Sequence, residues 1–164
     1  MFFRNLTLFR FPTSLDFSQL DDLLPEAALK PVGPLELSSR GVISPFGRGD
    51  EALSHRINDA IWLSVGGEDK ILPGAVVNDL LQKKLLEIEE KEGRKPGGRT
   101  RKRLKDELVT DLLPRAFVKP TRTDALLDLG HGIVVVDTSS RKSGENVVSE
   151  IRRALGSFPA LPLN

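Results

Sequence analysis

The sequence predicts an α+β fold, an antiparallel β-sheet with short helices and a projecting antiparallel helical hairpin. Two observations predict it. Short alternating or β-branched segments follow one another without long helices between them, which favours antiparallel pairing. In the middle of the chain, two stretches repeat leucine at helical spacing on either side of Pro96-Gly97-Gly98. The implied division is a β-rich central domain of residues 1–72 and 114–164, with residues 73–113 inserted as a helical tip.

The elements follow in order. Residues 2–11 alternate Phe3, Asn5, Thr7 and Phe9 with Leu6 and Leu8, a first strand. Thr13 and Ser14 offer helix caps, and Leu15, Leu20, Leu23 and Leu24 make a short amphipathic helix that Pro25 should stop. Pro31, Gly33 and Pro34 mark a loop. Strand-and-turn text fills residues 35–64: extended segments at 35–37 and 41–46, a turn at 47–50, and a strand through Ile61, Trp62, Leu63, Ser64 and Val65, which Gly66 and Gly67 should close.

Pro73 suits the first turn of a helix, and Val77, Leu80, Leu81, Leu85 and Ile88 carry that helix to about Glu92. Beyond the break, Leu104, Leu108, Leu112 and Leu113 run to Pro114. The two stripes should pack on each other, giving an arm of roughly 20 to 30 Å at 1.5 Å per residue. Residues 115–123 return to extended structure. Residues 125–129 and 133–137 read as a hairpin around Gly130-His131-Gly132. A last helix uses Val147, Val148, Ile151 and Leu155 with Gly156 as its stop. The apolar tail with Pro159 and Pro162 reads as interrupted, as though another segment follows.

The turn of the central hairpin carries the strongest functional signal. Residues 93–105 hold seven Lys or Arg and no acid. Pairing at i,i+4 cannot neutralise so many cations, and an anionic polymer is their natural partner. The candidate DNA contacts are Arg94, Lys95, Arg99, Arg101, Lys102, Arg103 and Lys105, with Lys91, Arg115, Lys119 and Arg122 as secondary members. No aromatic residue is interleaved, so contact should be to phosphates, sequence-independent and salt-sensitive. Whether the hairpin or the sheet faces DNA stays open, as does duplex against single strand. The net charge of +1 conceals this asymmetry: residues 1–82 carry seven basic side chains against eleven acids, and residues 83–164 seventeen against twelve.

Several chemistries are excluded or disfavoured. The chain has no cysteine, so disulfides and thiolate chemistry are out. No Gly-x-x-x-x-Gly-Lys phosphate loop is present, and two histidines, His55 and His131, cannot build a His-rich metal site. No apolar run reaches membrane-span length and no signal-peptide pattern opens the chain, so the expectation is a cytoplasmic protein with no membrane partner and no cofactor. A metal-dependent exonuclease is the rival reading. Its candidates are the carboxylates Asp124, Asp128 and Asp137 around the late hairpin, or the run Glu68-Asp69-Lys70, and their spacing is not diagnostic. A protein-docking module using the leucine stripe or Phe117 is a third.

Six stretches carry a resemblance: Met1-Phe-Phe-Arg-Asn-Leu, Asp50-Glu-Ala-Leu-Ser-His, Lys70-Ile-Leu-Pro, Leu104-Lys-Asp-Glu-Leu, Leu112-Leu-Pro-Arg-Ala-Phe117 and Leu155-Gly-Ser-Phe-Pro. In this order and spacing they resemble the N-terminal half of the recombination-associated RdgC proteins. The resemblance implies a bacterial, nucleoid-associated DNA-binding protein without established catalysis, despite an exonuclease label attached to the family. It further implies a ring-shaped homodimer that encircles duplex DNA and restrains RecA by competing for DNA. On this resemblance Phe117 belongs to a dimer contact. Because the family's proteins are about twice as long, closure of a ring by this length alone is left open.

Overall fold

The computed structural model describes residues 2–163. Seven strands form one sheet: β1 (Leu6–Arg10), β2 (Ser38–Ile43), β3 (His55–Ile57), β4 (Ala60–Ile71), β5 (Phe117–Asp128), β6 (Ile133–Asp137) and β7 (Leu161–Pro162). Their order is β2-β4-β5-β6-β1-β7, with β3 also on β4. The pairings of β1 with β6 and β7, of β3 with β4 and of β5 with β6 are antiparallel. The helices are α1 (Leu20–Leu23), α2 (Gly74–Glu92), α3 (Gly98–Leu112) and α4 (Arg141–Leu155). The α+β class read from the sequence is the observed one.

The chain divides into two compact units. The first comprises residues up to Lys30, Arg40–Gly67 and residues from Pro120 onward. Strand alternation builds its core: Phe9, Ile61, Leu63, Ala125, Leu127, Val134 and Val136 are buried on one face of the sheet. Against that face α4 lays Val147, Val148 and Ile151, and α1 adds Leu20. A ring cluster of Phe11, Phe17 and Phe158, with centroids 5.4 to 6.2 Å apart, closes one end. α4 forms because its apolar positions fall on one stripe, Ser140 caps its start by accepting from the Ser143 N–H at 3.3 Å, and Gly156 ends it in a left-handed conformation.

The second unit comprises Pro31–Ser39 and Glu68–Lys119. Here α2 and α3 pair through Leu81, Leu104 and Leu108, flanked by Leu80, Leu85 and Ile88. At about 1.5 to 3 kcal/mol per buried leucine this is a small core. Polar pins supplement it at the base of the helix pair. The Lys70 ammonium donates to the carbonyls of Pro34 at 2.6 Å and Leu113 at 2.8 Å. The Glu68 carboxylate accepts the Val32 N–H at 2.8 Å.

Three local expectations are corrected. Gly66 and Gly67 do not end a strand but lie inside β4. A Cβ on Gly66 would stand 2.7 Å from Ile43 Cγ2, and one on Gly67 would stand 2.5 Å from Arg40 Nη1, so glycine here answers close approach instead of a turn. The first helix is shorter than its leucine pattern, and Pro25 sits within a following 3-10 turn at Leu24–Ala27 instead of stopping it. Residues 115–129 hold one continuous twelve-residue strand from Phe117, Pro120 included, where two segments were expected. The apolar tail supplies β7, whose Leu161 lies opposite Arg10.

Candidate nucleic-acid interface

The basic stretch occupies the turn and the first two turns of α3. α2 ends at Glu92 with Gly93 in the left-handed region at φ 69°, and α3 starts after Gly97. Arg94 and Lys95 lie in the connection, Lys91 in the last turn of α2, and Arg99, Arg101, Lys102, Arg103 and Lys105 on α3. All eight are exposed. The reason is helical periodicity: Leu104 and Leu108 turn toward α2, and the intervening long cations are left in solvent.

Few of these charges are spent internally. Among the described residues Arg103 pairs with Glu107 at 3.4 Å, and the other seven form no ion pair or side-chain hydrogen bond. α3 opens with no acid in its first turn and no side-chain cap, so its free N–H groups and positive dipole end add to the cations around them. Isolated, this is an unfavourable arrangement for the helix. An anion at the turn would relieve it.

The positive charge is bounded. Arg99, Lys102 and Arg103 border a shallow depression that continues past Asp106, Glu107 and Asp111, so the solvent face of α3 changes sign along its length. A second depression gathers Arg94, Lys95 and Arg103 with Glu92, Pro96 and Thr100. The cations thus concentrate at the turn end of the helix pair.

The secondary candidates separate. Arg115 lies in the 3-10 turn Leu113–Arg115, and Lys119 on β5; both are exposed and in the second unit. Arg122 belongs to the first unit and is committed to structure. Its guanidinium donates to Asp124 Oδ1 at 3.0 Å, to Ser64 Oγ at 3.2 Å and to the carbonyls of Ser44 and Pro45. Phe117 is 84% exposed and followed by the exposed Val118. Lys70, a sequence candidate only beside Glu68 and Asp69 in the nuclease reading, instead holds two carbonyls, and a lysine near a strand end offers no signal of that.

The nuclease carboxylates are each engaged. Asp124 accepts from the Ser64 hydroxyl and Arg122. Asp128 accepts the His131 N–H at 3.0 Å and contacts its ring at 2.9 Å, and these bonds hold its carboxyl below the usual range. Asp137 is held low in the same way by the N–H groups of Asn5 and Arg4, at 3.0 and 2.9 Å. Among the described residues no group of three or more His, Asp or Glu is placed to hold a metal ion. No helix among them is long and apolar enough to cross a membrane.

Residues 1–164 match the protein family described as "Putative exonuclease, RdgC". A protein of Xanthomonas axonopodis pv. citri (strain 306), named recombination-associated protein RdgC, is 76% identical over 165 residues, covering 100% of this chain and 55% of the relative. Relatives of the same name in Xanthomonas campestris pv. campestris (strain B100) and Stenotrophomonas maltophilia (strain R551-3) are 75% and 71% identical, with the same shares covered. These relatives are named for recombination and not for a nuclease activity. The chain spans about half the length of the curated relatives it matches. By a match that runs its whole length, at the level of both the family and its individual members, the chain belongs to the RdgC family.

Proposed function

We propose that the chain binds DNA through its phosphates without reading sequence, using the turn end of the α2–α3 pair. The observation that carries this reading is the cluster of exposed cations at residues 91–105, of which only Arg103 has an internal partner among the described residues. The relatives' names supply the context, recombination, in which DNA is the common substrate. The absence of aromatic residues from the stretch favours backbone contact over base stacking.

The finer reading is that of a cytoplasmic, nucleoid-associated homodimer that closes a ring around duplex DNA and restrains RecA by competing for the same DNA. Phe117 supports the dimer, since so exposed an aromatic beside Val118 is suited to a protein contact. Duplex is the preferred form, and single strands are a second substrate.

A binding titration across salt concentrations, on duplex and single-stranded DNA, tests the first claim. With six to eight phosphate contacts, log K should fall against log salt with a slope of roughly −5 to −7 on duplex. A slope near zero would overturn the phosphate reading. Light scattering of the wild type and Phe117→Ser tests the dimer, whose mass should halve in the variant. Incubation of end-labelled DNA with Mg²⁺ should leave the label intact, and Mg²⁺-dependent loss abolished in Asp137→Asn would restore the exonuclease reading.

A further inference from the structure

Among the described residues, the sheet of the first unit is packed on one face only. α1 and α4 cover the face of Phe9, Leu127 and Val134. The opposite face has a continuous apolar row: Leu8 of β1 lies opposite Val135 of β6, which lies opposite Leu126 of β5. Paired residues project to the same side, so the three side chains form one line across three strands. All three are only partly buried, and Leu6, two residues along β1 on the same side, is 61% exposed. On the same side the row is flanked by charged residues, with Asp137 opposite Leu6 and with Arg10 and Asp128 opposite Ile133, so it is an apolar stripe between charged positions.

Trp62 extends the apolar surface on β4, between Ile61 and Leu63 of the covered core. Its ring packs against Phe46 at a centroid distance of 5.6 Å, and its indole N–H has no hydrogen-bond partner among the described residues. The polar groups beside it are already satisfied by one another, as Arg122, Asp124 and Ser64 bond mutually. Asp128 is likewise paired with His131 and Asp137 accepts two backbone N–H groups, so a contact over the row strands little unpaired charge if Arg10 stays at its rim.

We propose that this outer face, centred on the row Leu8–Val135–Leu126, is the docking surface for the further half of the chain that the longer RdgC relatives carry. The relatives supply the occupant. This chain accounts for 55% of their length, and the remainder is of comparable size. A nucleic-acid occupant is disfavoured by the apolar row, by the carboxylates of Asp128 and Asp137 beside it and by the internal pairing of Arg122. The half that docks adds a third layer and completes the burial of a two-layer sheet.

The test uses the absence of cysteine from this chain. Single-cysteine variants Val135→Cys and Leu126→Cys, with Lys142→Cys on the exposed side of α4 as control, are made in this chain. They are also made in a fusion of this chain to the remaining half of the Xanthomonas axonopodis relative, with any cysteine of that half changed to serine. Maleimide labelling at 135 and 126 should slow at least tenfold in the fusion, and labelling at 142 should not change. Equal rates in the two forms would overturn the proposal. So would protection that grows with the concentration of the 164-residue chain, which would make a second copy the occupant, or protection that requires duplex DNA. Acrylamide quenching of Trp62, the single tryptophan of this chain, provides a readout without substitution in this half. With any tryptophan of the added half changed to phenylalanine, the quenching constant should fall in the fusion, and an unchanged constant counts against the proposal.

Discussion

Neutralising Arg99, Arg101 and Lys102 together to glutamine separates phosphate contact from structural roles. These three are chosen because they are exposed and, among the described residues, form no ion pair, so their removal strands no partner. Arg103 is spared because Glu107 would be left alone. Glutamine keeps a helix propensity close to that of arginine and lysine, and Leu104 and Leu108 keep their place against α2. Each phosphate contact contributes about 0.9 to the slope of log K against log salt, so losing three should reduce the slope by about 2.7. Extrapolated from 1 M salt to physiological ionic strength, that difference amounts to about two orders of magnitude in affinity for duplex DNA. The helix itself should not suffer. Cations beside the N-terminus of α3 oppose its dipole, and their removal is worth up to about 1 kcal/mol in the stabilising direction. Fluorescence anisotropy over a salt series measures the affinity, and urea denaturation measures the stability. A variant of unchanged stability that binds with unchanged slope and affinity would refute the assignment of these cations.

Three further outcomes follow from the packing. Gly132 has φ 65° and a Cβ there would stand 2.3 Å from the Phe11 carbonyl oxygen, whereas the nearest atom to a Cβ on Gly130 is 3.6 Å away. Gly132→Ala should therefore cost at least about 2 kcal/mol in urea denaturation and Gly130→Ala less than about 0.5 kcal/mol; equal effects would contradict the turn geometry. Lys70→Met removes the donor shared by Pro34 and Leu113 and should destabilise by about 1 to 3 kcal/mol, with faster hydrogen exchange at the end of α3. Asp137 has its carboxyl lowered from 3.8 by the N–H groups of Asn5 and Arg4. A depressed folded pKa contributes stability above the unfolded value, and that contribution disappears as pH falls through the folded one. Asp137→Asn should accordingly be less stable than wild type at pH 6, and the difference should shrink below pH 3.8; a constant difference would show that the carboxylate charge is not involved.

The helices were legible where an apolar stripe and a terminal signal coincide. Val147, Val148, Ile151 and Gly156 define α4, and the stripe from Val77 to Ile88 defines α2, because a 3.6-residue period and a left-handed stop are local properties. The leucines at 15 and 20–24 misled for the opposite reason. Leu20 and Leu24 are buried by tertiary contact in the core of the first unit, and of the four only Leu20 and Leu23 lie in α1, with Leu24 in the 3-10 turn and Leu15 ahead of both. Glycine was the other source of error. In one dimension Gly66-Gly67 and Gly130-His131-Gly132 look alike, yet the first pair makes room for Ile43 and Arg40 and the second makes a turn. Only the neighbour across the sheet distinguishes them.

The candidate site divides along the same line. An acid-free run of seven cations is a property of sequence, and so is its exposure once Leu104 and Leu108 are assigned to the buried side of a helix. Which cations are free is not. Arg122 and Lys119 are three residues apart and indistinguishable by composition, but one is locked to Asp124, Ser64, Ser44 and Pro45 and the other faces solvent. Lys70 holds the Leu113 carbonyl across a sequence separation of 43 residues. By itself the sequence determined the class of the fold, the helices with strong local periods, the charge of the turn and the family. Tertiary structure alone decided which charges are spent inside the protein and where the sheet leaves an apolar row uncovered, because both depend on partners that the linear order keeps far apart.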